Sequence, residues 1–207
     1  METALREQLS DVVRVVEVEG FRFHHTALPG VVLVEPRVHG DERGFFLETY
    51  QQPRYAAGGI AATFVQDNHS KSRRGTLRGL HAQVEKPQGK LLRAVEGEIF
   101  DVAVDVRPGS PTFGRWYGAM LTAGNFRQLY IPEGFLHGFC VLSEIAQVEY
   151  KCTDFYYQRD EISVRWDEPS FGIEWPVDDP LLSDRDHKAQ TLEEARDRLA
   201  LLPPYAG

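Results

Sequence analysis

Short β-rich segments separated by turn signals fill the chain from about residue 28 to residue 175. Many short strands with frequent turns are typical of an all-β sandwich or barrel. No helical stretch of the length of a βαβ crossover intervenes, which argues against a parallel α/β sheet. The turn signals are rich in Gly, Pro and acidic residues: Pro29-Gly30, Gly40-Asp41, Gly58-Gly59, Glu96-Gly97, Pro108-Gly109 and Pro132-Glu133-Gly134.

One segment carries the clearest hairpin pattern of the chain. It predicts a strand over Lys90–Val95, a turn at Glu96-Gly97 and a second strand over Glu98–Val106. In the second strand apolar and acidic side chains alternate with the period of two that a strand requires. The apolar face holds Phe100, Val102, Val104 and Val106, and the other face holds Asp101 and Asp105.

Both ends of the chain have helical patterns. Leu5, Leu9, Val12 and Val16 recur at helical spacing before Gly20, although a partly frayed extension is an equal alternative. Thr191-Leu-Glu-Glu194 fits a capping box at the start of a second helix. We therefore predict a helical N-terminal extension over 1–20, a β domain over 21–190, and a C-terminal helix and tail over 191–207 packed on that domain.

Composition narrows the classes of partner. The chain has 207 residues and a formal net charge of −8, which disfavours nucleic-acid binding because that needs a basic field. Its two cysteines, Cys140 and Cys152, are too few for a disulfide framework and favour a reducing cytoplasm. No apolar run of roughly 18 residues is present, and the charged N-terminus lacks an apolar stretch, so we expect neither a membrane span nor a secretory signal.

Two polar side chains are predicted to face the apolar interior. Tyr150 shares its strand face with Ala146, Val148 and Cys152, so its hydroxyl needs a partner or a ligand there. By parity alone a core tyrosine and a catalytic acid are equally supported. Lys90 has the same parity as Leu92 and Ala94, and inward lysines are rare unless paired or functional, although a lysine at the rim is the alternative.

The histidines do not form a recognisable metal motif. His69, His81 and His137 are scattered, and Ala82 and Gln83 follow His81 where a metal-binding β-helix would supply a second histidine. We therefore predict metal-free chemistry. Arg78 and His81 have opposite parity on an ideal strand, and a bulge at Gly79 would be needed to bring both to one face.

Ten ordered motifs resemble the dTDP-4-dehydrorhamnose 3,5-epimerase family, over about residues 26 to 190. Because the motifs are many and in order, the resemblance is specific. They are Gly40–Glu48, Phe64–Ser72, Gly75–His81, Gln88–Lys90, Gly97–Asp105, Gly109–Gly114, Gln128–Phe139, Tyr150–Asp154, Ile173–Pro176 and Leu182–Asp186.

The resemblance implies a role for each matching residue. His81 would be the general base, Asp186 the carboxylate that orients it, Tyr150 the acid on the opposite face of the sugar, and Lys90 the cation that stabilises the enolate oxygen. Arg78 would meet the diphosphate. The other residues implied in substrate binding are His137, Arg43, Glu48, Gln66 and Asn68.

The resemblance also implies a fold, an assembly and a reaction. The fold would be a cupin-type jelly-roll β barrel, the assembly a homodimer, and no cofactor or metal would be needed. The expected reaction inverts C3 and C5 of dTDP-4-dehydro-6-deoxy-D-glucose, a dTDP-4-keto-6-deoxyhexose, giving dTDP-4-dehydro-L-rhamnose for dTDP-L-rhamnose biosynthesis.

Three other functions remain open at this point. They are an epimerase of C3 only or C5 only in an antibiotic-sugar pathway, a non-catalytic cupin that binds sugar nucleotides, and a metal-dependent cupin oxygenase. Two departures from the family bear on the sugar or base accepted. Ala82 stands next to the proposed base where relatives commonly carry an aromatic residue, and the loop from His81 to Lys90 is shorter than in many members.

Overall fold

The computed structural model describes residues 11–206 and contains mostly β structure. Within that range the strands are β1 (Val12–Val18), β2 (Phe21–Thr26), β3 (Val32–Glu35), β4 (Val38–Asp41), β5 (Gly44–Leu47), β6 (Gln66–Arg73), β7 (Leu77–Gln83), β8 (Lys90–Glu96), β9 (Glu98–Asp105), β10 (Trp116–Thr122), β11 (Gln128–Ile131), β12 (Phe135–Val141), β13 (Ile145–Cys152) and β14 (Glu161–Ser163). The helices are α1 (Gln52–Ala57), α2 (Asp184–His187) and α3 (Leu192–Leu199). None of them is long and apolar enough to cross a membrane.

Two antiparallel sheets form the body of the fold. The larger sheet has the strand order β1-β2-β3-β11-β8-β13-β6, and the smaller has the order β10-β9-β12-β7-β14. Strands β4 and β5 pair only with each other in a separate two-stranded sheet. The all-β jelly-roll prediction is confirmed. The sheets are not closed into a continuous barrel, so the architecture is a jelly-roll sandwich.

The predicted hairpin over 90–106 is wrong, although both of its strands exist. β8 pairs with β11 and β13 in the large sheet, whereas β9 pairs with β10 and β12 in the small one. The turn at Glu96-Gly97 therefore carries the chain from one sheet to the other. Gly97 has a φ of 73°, and a Cβ there would lie 2.1 Å from the carbonyl oxygen of Ile145. A turn signal marks where a strand ends but not which strand it pairs with next.

Three buried apolar clusters hold the layers together. The first lies between the two large sheets and includes Leu92, Ala94 and Val148. The second joins the outer face of the small sheet to the C-terminal segment, and Val102, Val104 and Val106 belong to it with Phe100 packed against it. The third packs α1 against β2 and β3. Both faces of β9 are thus covered, which is why Asp101 and Asp105 are completely buried.

The two ends of the chain differ in how they match the prediction. The helix predicted over 1–20 is wrong for residues 11–20, where β1 is an edge strand paired with β2, and its first ten residues lie outside the described part. β1 is rich in the β-branched residue Val, which suits a strand, and Val16 and Val18 pack against the third cluster. The C-terminal helix is confirmed as α3. It begins with a complete Thr191–Glu194 capping box and buries Ala195 and Leu199.

Candidate active site

A cavity of about 850 Å³ opens between the two large sheets, at the end where β6, β7, β8, β13 and α2 meet. It brings together residues that are far apart in the sequence. Eight of the site residues expected from the sequence line it: Gln66, Asn68, Arg78, His81, Lys90, His137, Tyr150 and Asp186.

A bulge in β7 turns two cavity residues to the same side. His81 pairs with His137 and Arg78 pairs with Phe139, so three steps along β7 match two steps along β12. Gly79 sits in this bulge with a φ of 133°, and a Cβ there would lie 2.5 Å from the Cα of Gly138. Only glycine fits such an approach, so the structure contains the bulge that the sequence had left open.

His81 forms a dyad with a carboxylate from α2. Its Nε2 lies 2.5 Å from Oδ1 of Asp186, which is itself 4% exposed. Burial opposes ionisation of this carboxyl group, but the hydrogen bonds from His81 and Ser183 prevail and hold the pKa of Asp186 below its usual value. Because the carboxylate accepts the proton of Nε2, the hydrogen bond assigns the lone pair to Nδ1. His81 therefore presents a nitrogen that can take up a proton.

Two further charged side chains lie close to the imidazole of His81. Oε1 of Glu161 lies 4.0 Å from Nδ1 of His81, and Nη2 of Arg185 lies 3.3 Å from Nδ1 and 3.1 Å from Nε2 of the same ring. Arg185 also forms an ion pair with Glu161, which accepts a 3.1 Å hydrogen bond from the hydroxyl of Tyr156. Arg185 is half exposed, with 48% of its side chain open to solvent, so this cation stands at the mouth of the cavity.

Lys90 and Tyr150 enter the cavity from the large sheet. The faces predicted by parity are confirmed, since Leu92, Ala94, Ala146 and Val148 share the cluster between the sheets. Burial lowers the pKa of Lys90, although nearby Cys152, Glu161 and Asp101 favour its charged form. Burial raises the pKa of Tyr150, so its hydroxyl keeps its proton at neutral pH.

A second histidine–carboxylate pair lies deeper in the cavity. Nε2 of His137 is 2.9 Å from Oδ2 of Asp101, whose side chain is completely buried. Burial lowers the pKa of His137, while Asp101 works in the opposite direction. The other oxygen of Asp101 is buried and has no hydrogen-bond partner among residues 11–206.

The chain is similar to known proteins along most of its length. The family model described as dTDP-4-dehydrorhamnose 3,5-epimerase matches residues 25–194. The chain belongs to this epimerase family.

Individual members of the epimerase family resemble the chain closely. A dTDP-4-dehydrorhamnose 3,5-epimerase of Shigella flexneri is 55% identical over 172 residues, which is 82% of this chain and 95% of that protein. The crystal structure of a dTDP-6-deoxy-D-glucose-3,5-epimerase of Legionella pneumophila in complex with dTDP-4-keto-L-rhamnose superposes with a TM-score of 0.86. It is 46% identical and covers 90% of this chain and 100% of that one. A dTDP-4-dehydrorhamnose 3-epimerase of Streptomyces niveus is 41% identical over 187 residues, 89% of this chain and 90% of that protein.

Two expected substrate-binding residues of this epimerase fold do not line the cavity of their own chain. Arg43 lies at the tip of the β4–β5 hairpin, where its side chain is 86% exposed and pairs with Asp41. Glu48 follows the hairpin and forms an ion pair with Arg54 of α1. The sequence motif contains both residues but could not show that the hairpin is mostly exposed and that neither side chain lines the cavity.

Sequence reasoning missed several cavity residues of this epimerase. Asp101 alternates with apolar residues on β9, and this pattern alone did not indicate that the side chain is completely buried and paired with His137 of the cavity. Glu161, Arg185 and Tyr156 lie in segments without a clear strand pattern. Ser70 lies between Asn68 and Ser72 on the inner face of β6, and its buried hydroxyl has no partner among the described residues.

Proposed function

We propose that this protein epimerises C3 and C5 of dTDP-4-dehydro-6-deoxy-D-glucose, giving dTDP-4-dehydro-L-rhamnose in dTDP-L-rhamnose biosynthesis. The observation that carries the proposal is the cavity in which the His81–Asp186 dyad, Lys90 and Tyr150 come together. The sugar nucleotide named in the Legionella complex supports this choice of ligand. The proposed reaction uses only the substrate and side chains of the protein, and it invokes no cofactor.

His81 is the base in this reaction. The C4 ketone acidifies the protons on both neighbouring carbons, so an imidazole oriented by a carboxylate is a suitable base to remove them. Nδ1 receives the proton, and Asp186 stabilises the imidazolium that forms. His137, paired with the buried Asp101, adds a polar side chain to the wall of the cavity. Gln66, Asn68 and Arg78 bind the substrate.

Lys90 and Tyr150 complete the inversion. Removing a proton next to the ketone leaves negative charge on O4, and an ammonium group facing the cavity stabilises that charge as it develops. Inversion requires the new proton to reach the opposite face of the ring. Tyr150 enters from the large sheet whereas His81 enters from the small one, and its burial keeps it protonated for that step.

The reaction can be followed directly by NMR in D₂O. The protein is incubated with dTDP-4-dehydro-6-deoxy-D-glucose without any reductase, and we expect the C3 and C5 proton signals to disappear while the inverted sugar accumulates. Exchange at one carbon only would instead support a single-centre function like the one for which the Streptomyces niveus 3-epimerase is named. No exchange by a folded protein that binds dTDP would contradict the catalytic proposal.

A homodimer explains the position of the β4–β5 hairpin. Phe45 and Phe46 of the hairpin are 63% and 72% exposed, which is costly for large aromatic side chains in a free subunit. We propose that the hairpin of each subunit packs against the other, so that Arg43 and Glu48 reach the partner's cavity. The same surface then supplies two substrate-binding residues in trans.

Mixing two inactive variants tests this assembly. Arg43→Ala and His81→Asn, refolded together in equal amounts, are expected to recover about a quarter of wild-type activity, because half of the dimers contain one intact cavity. The control pair, His81→Asn with Asp186→Asn, affects two residues of the same subunit's cavity and should recover nothing. If the first mixture also stays inactive, Arg43 does not act across the subunits.

The location of the protein is proposed on chemical grounds. Cys140 and Cys152 are both buried free thiols, which suits a reducing cytoplasm. The substrate is a small molecule, and the negative net charge of −8 gives no support to a nucleic-acid partner. We therefore propose a cytoplasmic enzyme.

A further inference from the structure

We propose that Arg198, on the C-terminal helix α3, is a positioning residue for the substrate-binding mouth of the cavity. It acts by fixing the first residue of β14, Glu161, from outside the cavity. The residue lies beyond residue 194, where the match to the epimerase family ends. The kinetic part of the inference rests on the proposed function, whereas the binding part requires only that the cavity takes dTDP.

The contact is a fork of two hydrogen bonds from one guanidinium group. Nη2 of Arg198 donates to the carbonyl oxygen of Asp160 at 3.0 Å, and Nη1 donates to that of Glu161 at 3.2 Å. Helix α3, which carries this guanidinium group, is held in place because its residues Leu199 and Ala195 are buried in the second cluster. Arg198 thus connects a well-anchored helix to the backbone at the start of β14.

The start of β14 needs such support. β14 contains three residues, lies at the edge of the small sheet and pairs there with β7, while Gln190 donates a backbone hydrogen bond to its last residue, Ser163. Short edge strands have few ladder hydrogen bonds and open most easily. The carboxylate of Asp160 accepts the backbone N–H groups of Glu85 and Lys86 at 2.8 and 2.7 Å, so side chain and carbonyl of this residue are held from opposite directions.

Glu161 transmits this restraint to the mouth of the cavity. Its carboxylate holds the guanidinium of Arg185 and the hydroxyl of Tyr156, both of which line the opening. His81 lies near Glu161 and pairs with Ser163 of β14, but it also has its own anchors in Asp186 and in its pairing with β12. Loosening the start of β14 should therefore weaken binding of the anionic substrate more than it slows proton transfer.

The test compares two arginines of the same helix. Arg196→Met is the matched control, because Arg196 is 75% exposed and its described ion pair is only with Glu193. We expect Arg198→Met to raise KM and the dissociation constant for dTDP about tenfold, the order expected from losing two hydrogen bonds, with kcat within about twofold. Arg196→Met should change neither. Arg198→Lys should restore part of the affinity, because an ammonium group can still donate to one of the carbonyl oxygens.

The outcomes separate positioning from a purely structural role. The inference is overturned if Arg198→Met binds dTDP as well as Arg196→Met, or if kcat falls while KM stays at the wild-type value. If Arg198→Met does not fold, Arg198→Gln keeps an amide donor and is judged by the same two constants. Should the wild-type protein bind dTDP but not epimerise the sugar, the proposed function fails and the comparison of dissociation constants still decides the role of Arg198.

Discussion

Replacing His81 by asparagine is expected to stop proton exchange at both C3 and C5 in D₂O. The amide cannot take up a proton near neutral pH, so kcat should fall by roughly 10²–10⁴-fold, the range usual for loss of a general base. Binding of dTDP should remain close to wild type, because the groups at the mouth of the cavity are unchanged. The measurement is the loss of the C3 and C5 proton signals over time by NMR.

His69 provides the matched control for this variant. It lies on β6 with 49% of its side chain exposed and near Glu149 on the outer face of the sheet. His69→Asn should therefore exchange and epimerise as the wild type does. Exchange by His81→Asn at more than a tenth of the wild-type rate would show that another group removes the protons.

Replacing Tyr150 by phenylalanine is expected to separate exchange from inversion. The variant retains the His81–Asp186 dyad, so protons next to the ketone should still wash out into D₂O. It lacks the group that protonates the opposite face, so formation of the inverted sugar should fall by roughly 10²–10⁴-fold. NMR measures both rates on one sample, and the ratio of exchange to inversion is the quantity of interest.

Tyr157 gives the control for the loss of a phenolic hydroxyl. It lies in the same segment of the chain, is 41% exposed, and does not line the cavity. Tyr157→Phe should keep the wild-type ratio of exchange to inversion. If Tyr150→Phe loses exchange and inversion in equal measure, or retains full inversion, Tyr150 is not the acid of the opposite face.

Sequence patterns predicted local geometry well where the prediction depended only on neighbouring residues of one strand or helix. The inward faces of Tyr150 and Lys90 followed from parity, because the period of two needs no knowledge of the neighbouring strands. The capping box at Thr191 likewise depends on a few adjacent residues. The bulge at Gly79 was predictable as a requirement, although its close approach to Gly138 depends on β12.

Sequence patterns failed where the structure of a segment depends on a strand or side chain that is distant in the sequence. Glu96-Gly97 has the composition of a hairpin turn, but pairing with β10 and β11 draws the two strands into different sheets. Residues 11–20 have helical spacing, but an available edge on β2 makes them a strand. Asp101 and Arg198 were missed for the same reason, because their significance comes from His137 and from the backbone of β14, which are distant in the sequence.

The turn between β8 and β9 also has a consequence for how the chain reaches its native state. Since these neighbours do not pair, β8 must wait for the distant strands β11 and β13, as when Leu92 meets Tyr150. β9 can pair with the adjacent β10, but its other edge must wait for β12, as when Phe100 meets Cys140. Loop closure over such separations precedes any gain from pairing, which slows folding compared with chains built from local hairpins. The chain also passes back and forth between the two sheets, so strands of one sheet lie between strands of the other in the sequence. We therefore expect the two sheets to form and to unfold together, as one cooperative unit.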